Sequence, residues 1–172
     1  MNKKMLVMDD KTKFKKIKLT TGNLAPKAQT EDYLDCIKSG GSPSWRNNNP
    51  GNLIADDWSV RHGAIGKDYR GKFAKFPNES TGMAALHALL ASPHYQDKLP
   101  LDAIRIYAPA SDNNDPDNYN RLLTKFGIDP SRTVGTQVDS MAEAIKKVEG
   151  WQVGTRTEKL PPTNLFQLHL TP

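Results

Sequence analysis

Apolar residues recur at helical spacing in four short stripes, and Gly, Pro or a capping residue bounds each within about three turns. Met83, Leu86, Leu89 and Leu90 follow Ser80, and Leu101, Ile104 and Tyr107 follow Pro100, which fits a first helical turn. Tyr119, Leu122, Leu123 and Phe126 lie between Asp115-Pro116 and Gly127. Met141, Ile145 and Val148 end at Gly150, where a left-handed C-cap belongs, and Ser140 with Glu143 predicts a capping box at the start. Each helix must bury its stripe against its neighbours, which predicts a bundle.

The remaining punctuation adds a small β element. Thr30 predicts a helix with Tyr33, Leu34 and Ile37 inward, stopped by Gly40-Gly41. Residues 42–80 are rich in Asn, Gly, Pro and aromatics and predict loops with one hairpin, over 57–61 and 72–76. The fold class is mainly α (α+β). The 172 residues suffice for one domain with appendages, expected as a basic arm over 1–29, a folded domain over 30–155 and a tail over 156–172. Ile17-Lys18-Leu19 and Leu165–Leu170 alternate as strands do, so the two ends are expected to pair.

Charge and cysteine content exclude several classes. The net charge is +5, yet residues 1–28 carry eight Lys and two Asp, while the rest of the chain is close to neutral. A nucleic-acid reader carries its positive charge on the folded surface, so no nucleic-acid partner is expected. No run of about 18 apolar residues occurs, so no membrane insertion is expected. Cys36 is the single cysteine, which excludes an intrachain disulfide and a cysteine-based zinc site. The spacing of Asp112, Asp115 and Asp117 misses the EF-hand pattern, and no metal or other cofactor is expected. Met5–Met8 is too short for a secretory apolar region and Asp9-Asp10 ends it, so synthesis in the cytoplasm without a signal peptide is expected.

The conspicuous stretch is Arg46-Asn47-Asn48-Asn49-Pro50-Gly51-Asn52-Leu53. Pro50-Gly51 suits the centre of a type II turn, with Gly at positive φ. The asparagine amides offer donors and acceptors that suit the hydroxyl and acetamido groups of sugars. A loop bonding its own backbone accounts for them equally well.

This stretch resembles the R-N-N-N-P-G-N signature of lysozyme-like domains that cut peptidoglycan in phage proteins and type VI secretion effectors. Further similarities follow in order over residues 42–155: His62–Gly66, Gly71–Pro77 with Gly82, Ile106–Asn114, Tyr119, and Ala144–Trp151. Many relatives place a Glu-Gly helix before the Asn-rich loop. Here Glu149-Gly150-Trp151 comes last, and the only comparable earlier acid, Glu31, has no following Gly. The motif order is therefore expected to be circularly permuted, with Glu149 as the catalytic acid. Asp112 stands where many relatives have Glu.

The resemblance implies a lysozyme-like bundle and cleavage of MurNAc-β-1,4-GlcNAc bonds, by a muramidase or a lytic transglycosylase. Substrate contacts are expected from Arg46, Asn47, Asn48 and Asn49, with Tyr107 and Trp151 as sugar platforms. A hydrolase needs a second acid, for which Asp56 or Asp57 is expected; a transglycosylase needs only one. Cleavage implies action in the periplasm of a target cell or at the cell wall after delivery. A type VI secretion effector and a phage lysis or tail enzyme both fit; the basic arm is expected to dock to a secretion spike, a chaperone or the wall itself, and an effector implies a periplasmic immunity protein plugging the cleft. The rival is a non-catalytic peptidoglycan-binding module or structural virion protein of the same fold.

Helical geometry supports Glu149 independently. It lies about 80° from Met141 and about 40° from Ile145 around the axis, at the border of the apolar stripe. Partial burial and the negative end of the helix dipole both disfavour a carboxylate, which suits an acid that must hold a proton for a glycosidic oxygen.

Overall fold

The computed structural model describes residues 29–112 and 114–160 and has a mixed α+β fold. The expected strands in the basic arm and over 165–170 lie outside the described residues. No described helix is long and apolar enough to cross a membrane.

The chain opens with a hairpin, not the expected helix. Strand β1 (Thr30–Asp32) pairs antiparallel with β2 (Cys36–Ser39), and β5 (Thr155–Glu158), from the far end, pairs with the other side of β2. Residues 156–158, assigned by sequence to the tail, thus belong to this sheet. Burial alternates with period two: Glu31, Tyr33, Cys36 and Lys38 point inward, while Leu34 is fully exposed and Ile37 is 38% exposed. Two of the four buried side chains are charged, so the apolar pattern pointed the wrong way. Both charges are satisfied inside. Glu31 lies 3.2 Å from the Lys75 ammonium and accepts the Tyr69 N–H at 3.0 Å. Lys38 donates to the Trp45 carbonyl at 2.9 Å and to Asn48 Oδ1, with its ammonium 4.4 Å from the Trp45 ring centroid.

Short helix α1 (Pro43–Arg46) leads into the Asn-rich loop and then α2 (Asp57–Arg61). Residues 57–61, expected as a strand, are helical because Asp56 caps them. Its Oδ1 accepts the Ser59 N–H at 2.8 Å, while Ser59 Oγ accepts the Asp56 N–H at 3.1 Å. The hairpin instead joins β3 (Gly66–Lys67) to β4 (Ala74–Lys75), within the second expected strand.

The four remaining helices lie where their stripes predict: α3 (Glu79–Leu90), α4 (Pro100–Tyr107), α5 (Pro116–Lys125) and α6 (Val138–Val148). Asn78 and Asp115 cap α3 and α5 through side-chain oxygens. The expected box at Ser140 and Glu143 is absent, because α6 begins earlier, after Gln137. Gln137 makes no cap; its amide bonds the carbonyls of Asp129 and Arg132. Helix α6 lies against α3 and α5, and α5 also packs on α4. Their stripes meet in one core containing Leu86, Leu90, Ile104, Leu123, Met141 and Ile145. Each such side chain contributes about 1.5–3 kcal/mol by leaving water. Gly150, at φ +68, turns the chain left-handed after Glu149, as its position predicts.

Candidate active site

The Asn-rich loop is built into the scaffold. Arg46 is 2% exposed, and its guanidinium donates to the Gly40 and Gly41 carbonyls at 2.8 Å each and to Gln29 Oε1. Asn48 Nδ2 donates to the Phe76 carbonyl at 3.0 Å. Asn49, fully buried, donates to the carbonyls of Leu53 and Ala74, both at 2.9 Å, and accepts the Leu53 N–H at 2.8 Å. Asn47 is buried too, and its carbonyl accepts the Phe76 N–H at 2.9 Å. These four residues, expected to touch substrate, fasten the loop to β4 and to the first hairpin. None of them lines the cavity described below.

The loop's turn chemistry also differs from the type II expectation. Gly51 is not in the positive-φ region; Asn48 and Asn52 are, at φ 51 and 48. Gly51 is required for space: a Cβ there would lie 2.5 Å from Tyr107 Oη and 2.9 Å from Leu86 Cδ1. The Tyr107 hydroxyl donates to the Gly51 carbonyl through that close approach.

Packing of loop on helices leaves a cavity of about 330 Å³, within the size range of small-ligand clefts. Glu149, the C-cap of α6, lies on its wall. Asn52 Nδ2 donates to Glu149 Oε2 at 2.8 Å, and the Tyr119 hydroxyl donates to Oε1 at 2.7 Å. Each carboxyl oxygen therefore has one fixed donor, from the loop on one side and from α5 on the other. The Tyr107 ring meets that of Tyr119 edge-on, at 6.3 Å. Burial, followed by Tyr107 and the Glu149 charge, holds the Tyr119 phenol well above its ordinary range; burial and Glu149 do the same for Tyr107. Both phenols thus stay neutral donors beside the carboxyl. Asn52 Oδ1 is buried with no hydrogen-bond partner, so the amide is committed to Glu149 through its nitrogen alone.

The other acids divide. Asp56 lines the cavity while capping α2; Asp57, in the first turn of α2, does not; Asp112 does. Tyr107 lines it as well. Trp151 does not, and its ring instead faces the Lys146 ammonium at 4.8 Å. The aromatic wall includes Trp58, whose indole stacks on the His62 ring with centroids 3.8 Å apart. The His62 Nδ1–H donates to the Trp58 carbonyl at 2.8 Å, which fixes the stack.

Of the residues singled out by sequence, Glu149, Tyr107 and Asp56 line the cavity; Asn52, Trp58 and Lys72 line it too and were not assigned to the site, nor was Tyr119, which bonds Glu149. Asn52 was the last member of the recognised signature, and Tyr119 was one of the ordered similarities. Lys72 fell within the ordered similarity Gly71–Pro77, and nothing in the local pattern marked Trp58. Among the described residues, no group of three or more His, Cys, Asp or Glu could hold a metal ion. No family model and no curated protein sequence matches the chain.

Proposed function

We propose that the protein cleaves the glycan strands of peptidoglycan at MurNAc-β-1,4-GlcNAc bonds, with Glu149 as the general acid. One observation carries the reading. A single carboxyl, on the wall of a cleft large enough for a sugar ring, is held at both oxygens by neutral donors from separate elements. Such a grip holds the carboxyl in one orientation on the cleft wall, as catalysis by a positioned group requires. The ordered similarity to lysozyme-like domains supplies the substrate class.

In the proposed reaction, Glu149 protonates the glycosidic oxygen as the C1–O bond breaks, and positive charge develops on the ring beside the ionising carboxylate. The open C1 then takes water in a hydrolase, or the sugar's own C6 hydroxyl in a lytic transglycosylase. Asp56 and Asp112 are the cavity acids available to activate water. Tyr107 and Trp58 offer apolar faces to the sugar. Substrate of this kind lies at the cell wall, so the proposed site of action is the periplasm of a target cell or the wall itself. A spike or chaperone for delivery and an immunity protein that fills the cleft complete the proposal.

The test is digestion of purified sacculi and analysis of the soluble muropeptides. Reducing ends identify a hydrolase and anhydro-MurNAc ends a transglycosylase. Glu149→Gln, which keeps the side chain's shape but cannot act as an acid, should lower release about 10²–10⁴-fold. Binding to sacculi without any release would refute cleavage and leave a glycan-binding module.

A further inference from the structure

Four charged side chains line the cavity: Glu149, Asp56, Asp112 and Lys72. Three are acids. Uncharged sugar tolerates that surface, but an acidic substituent on the glycan is repelled by most of it. Lys72 is the exception, and its backbone is held through both its N–H and its carbonyl. Its N–H donates to Asp68 Oδ1 at 2.8 Å, and its carbonyl accepts the Ala55 N–H at 3.0 Å. Asp68 is itself buried and also accepts the Phe73 N–H at 3.0 Å, so the tip of the β3–β4 hairpin is tied from inside. The Lys72 ammonium lies 5.2 Å from the Phe73 ring centroid, on a residue that also lines the cavity. It forms no ion pair with any described carboxylate, although Asp56 and Asp112 line the same cavity.

From this we infer that Lys72 recognises a carboxylate carried by the glycan and so selects acidic wall strands over neutral polymers of N-acetylglucosamine. The inference rests on the glycan reading above. The carboxylate has two sources: the stem peptide of intact strands, and the lactyl group left bare once that peptide is removed. An ammonium–carboxylate contact at this exposed position adds affinity on the acidic substrates only. A contact made equally before and during the reaction changes binding and leaves kcat unaltered.

The experiment uses the full chain in a Glu149→Gln background, so that strands stay uncut. Equilibrium binding is measured for stem-bearing strands, amidase-denuded strands and chitohexaose, with Lys72, Lys72→Met and Lys72→Arg. Lys72→Met should weaken binding of an acidic strand about fivefold to tenfold and leave chitohexaose within about twofold. Lys72→Arg should retain most of the acidic preference. Loss on denuded strands identifies the lactyl carboxylate; loss confined to stem-bearing strands identifies the peptide. Equal loss on chitohexaose, no loss on either acidic strand, or no binding of any glycan overturns the inference. A preference that depends on Lys72 in a protein whose wild type releases no muropeptides would sink cleavage and leave this inference standing. Release of muropeptides with no effect of Lys72→Met would do the reverse.

Discussion

Substituting Asn49 separates scaffold from substrate contact in the Asn-rich loop. Its side chain satisfies three backbone groups: the carbonyls of Leu53 and Ala74 and the N–H of Leu53. Asn49→Ala leaves all three without a partner in a site that excludes solvent. Each stranded group costs about 1–3 kcal/mol. A water entering the vacated space recovers part of this, so the net loss is set at about 3–5 kcal/mol, near the top of what one substitution does. With an m-value of about 2 kcal/mol per M, the urea midpoint should fall by about 1.5–2.5 M. Asn49→Asp should be worse, since it turns a negatively charged acceptor toward two carbonyls. Any protein still folded at low temperature should retain muropeptide release per folded molecule. A midpoint within about 0.5 M of wild type, with release abolished, would refute the argument and return Asn49 to the substrate.

Two further outcomes are expected. Asn52→Gly removes the donor to Glu149 Oε2 and relieves a left-handed asparagine at φ 48; stability should stay within about 1 kcal/mol while kcat falls about tenfold, and unchanged kcat would show that the grip is idle. Tyr33, Tyr95, Tyr107 and Tyr119 all hold their protons above the ordinary phenol value, each chiefly through burial. Their stabilising contribution is therefore complete below pH about 10 and lost above it, as the unfolded chain ionises first. Tyrosinate absorbance from these four should appear together with loss of circular dichroism. A separate earlier rise from more than one tyrosine would refute their burial, Tyr69 being the exposed fifth.

The helical part of the fold was legible because its stripes are apolar and its breaks are local. Leu86, Leu123 and Ile145 are buried where spacing put them. The first hairpin was illegible for the opposite reason. Its inner face carries Glu31 and Lys38, whose burial depends on Lys75, Asn48 and Trp45, and only tertiary structure reveals those partners. At the site, Glu149 was singled out by the Glu149-Gly150-Trp151 similarity together with its place at a helix end. The asparagines were visible as a cluster, but their role depended on which backbone groups they met. Asn52 reaches Glu149 across 97 positions of sequence, and no local pattern encodes that contact.

The three-stranded sheet bears on how such a chain can be rearranged. Thr30 lies opposite Ser39, and Ser39 opposite Thr155, so the first and last described strands flank one shared neighbour. Two strand spacings separate them by about 10 Å, and the end of β5 lies about 10 Å further along. A linker of five or six residues spans such a gap. Joining these two ends and opening the chain elsewhere would change the order of its parts while keeping β1 and β5 beside β2. The acid-bearing helix could thereby come to precede or follow the asparagine loop, with the same atoms facing one another in either case.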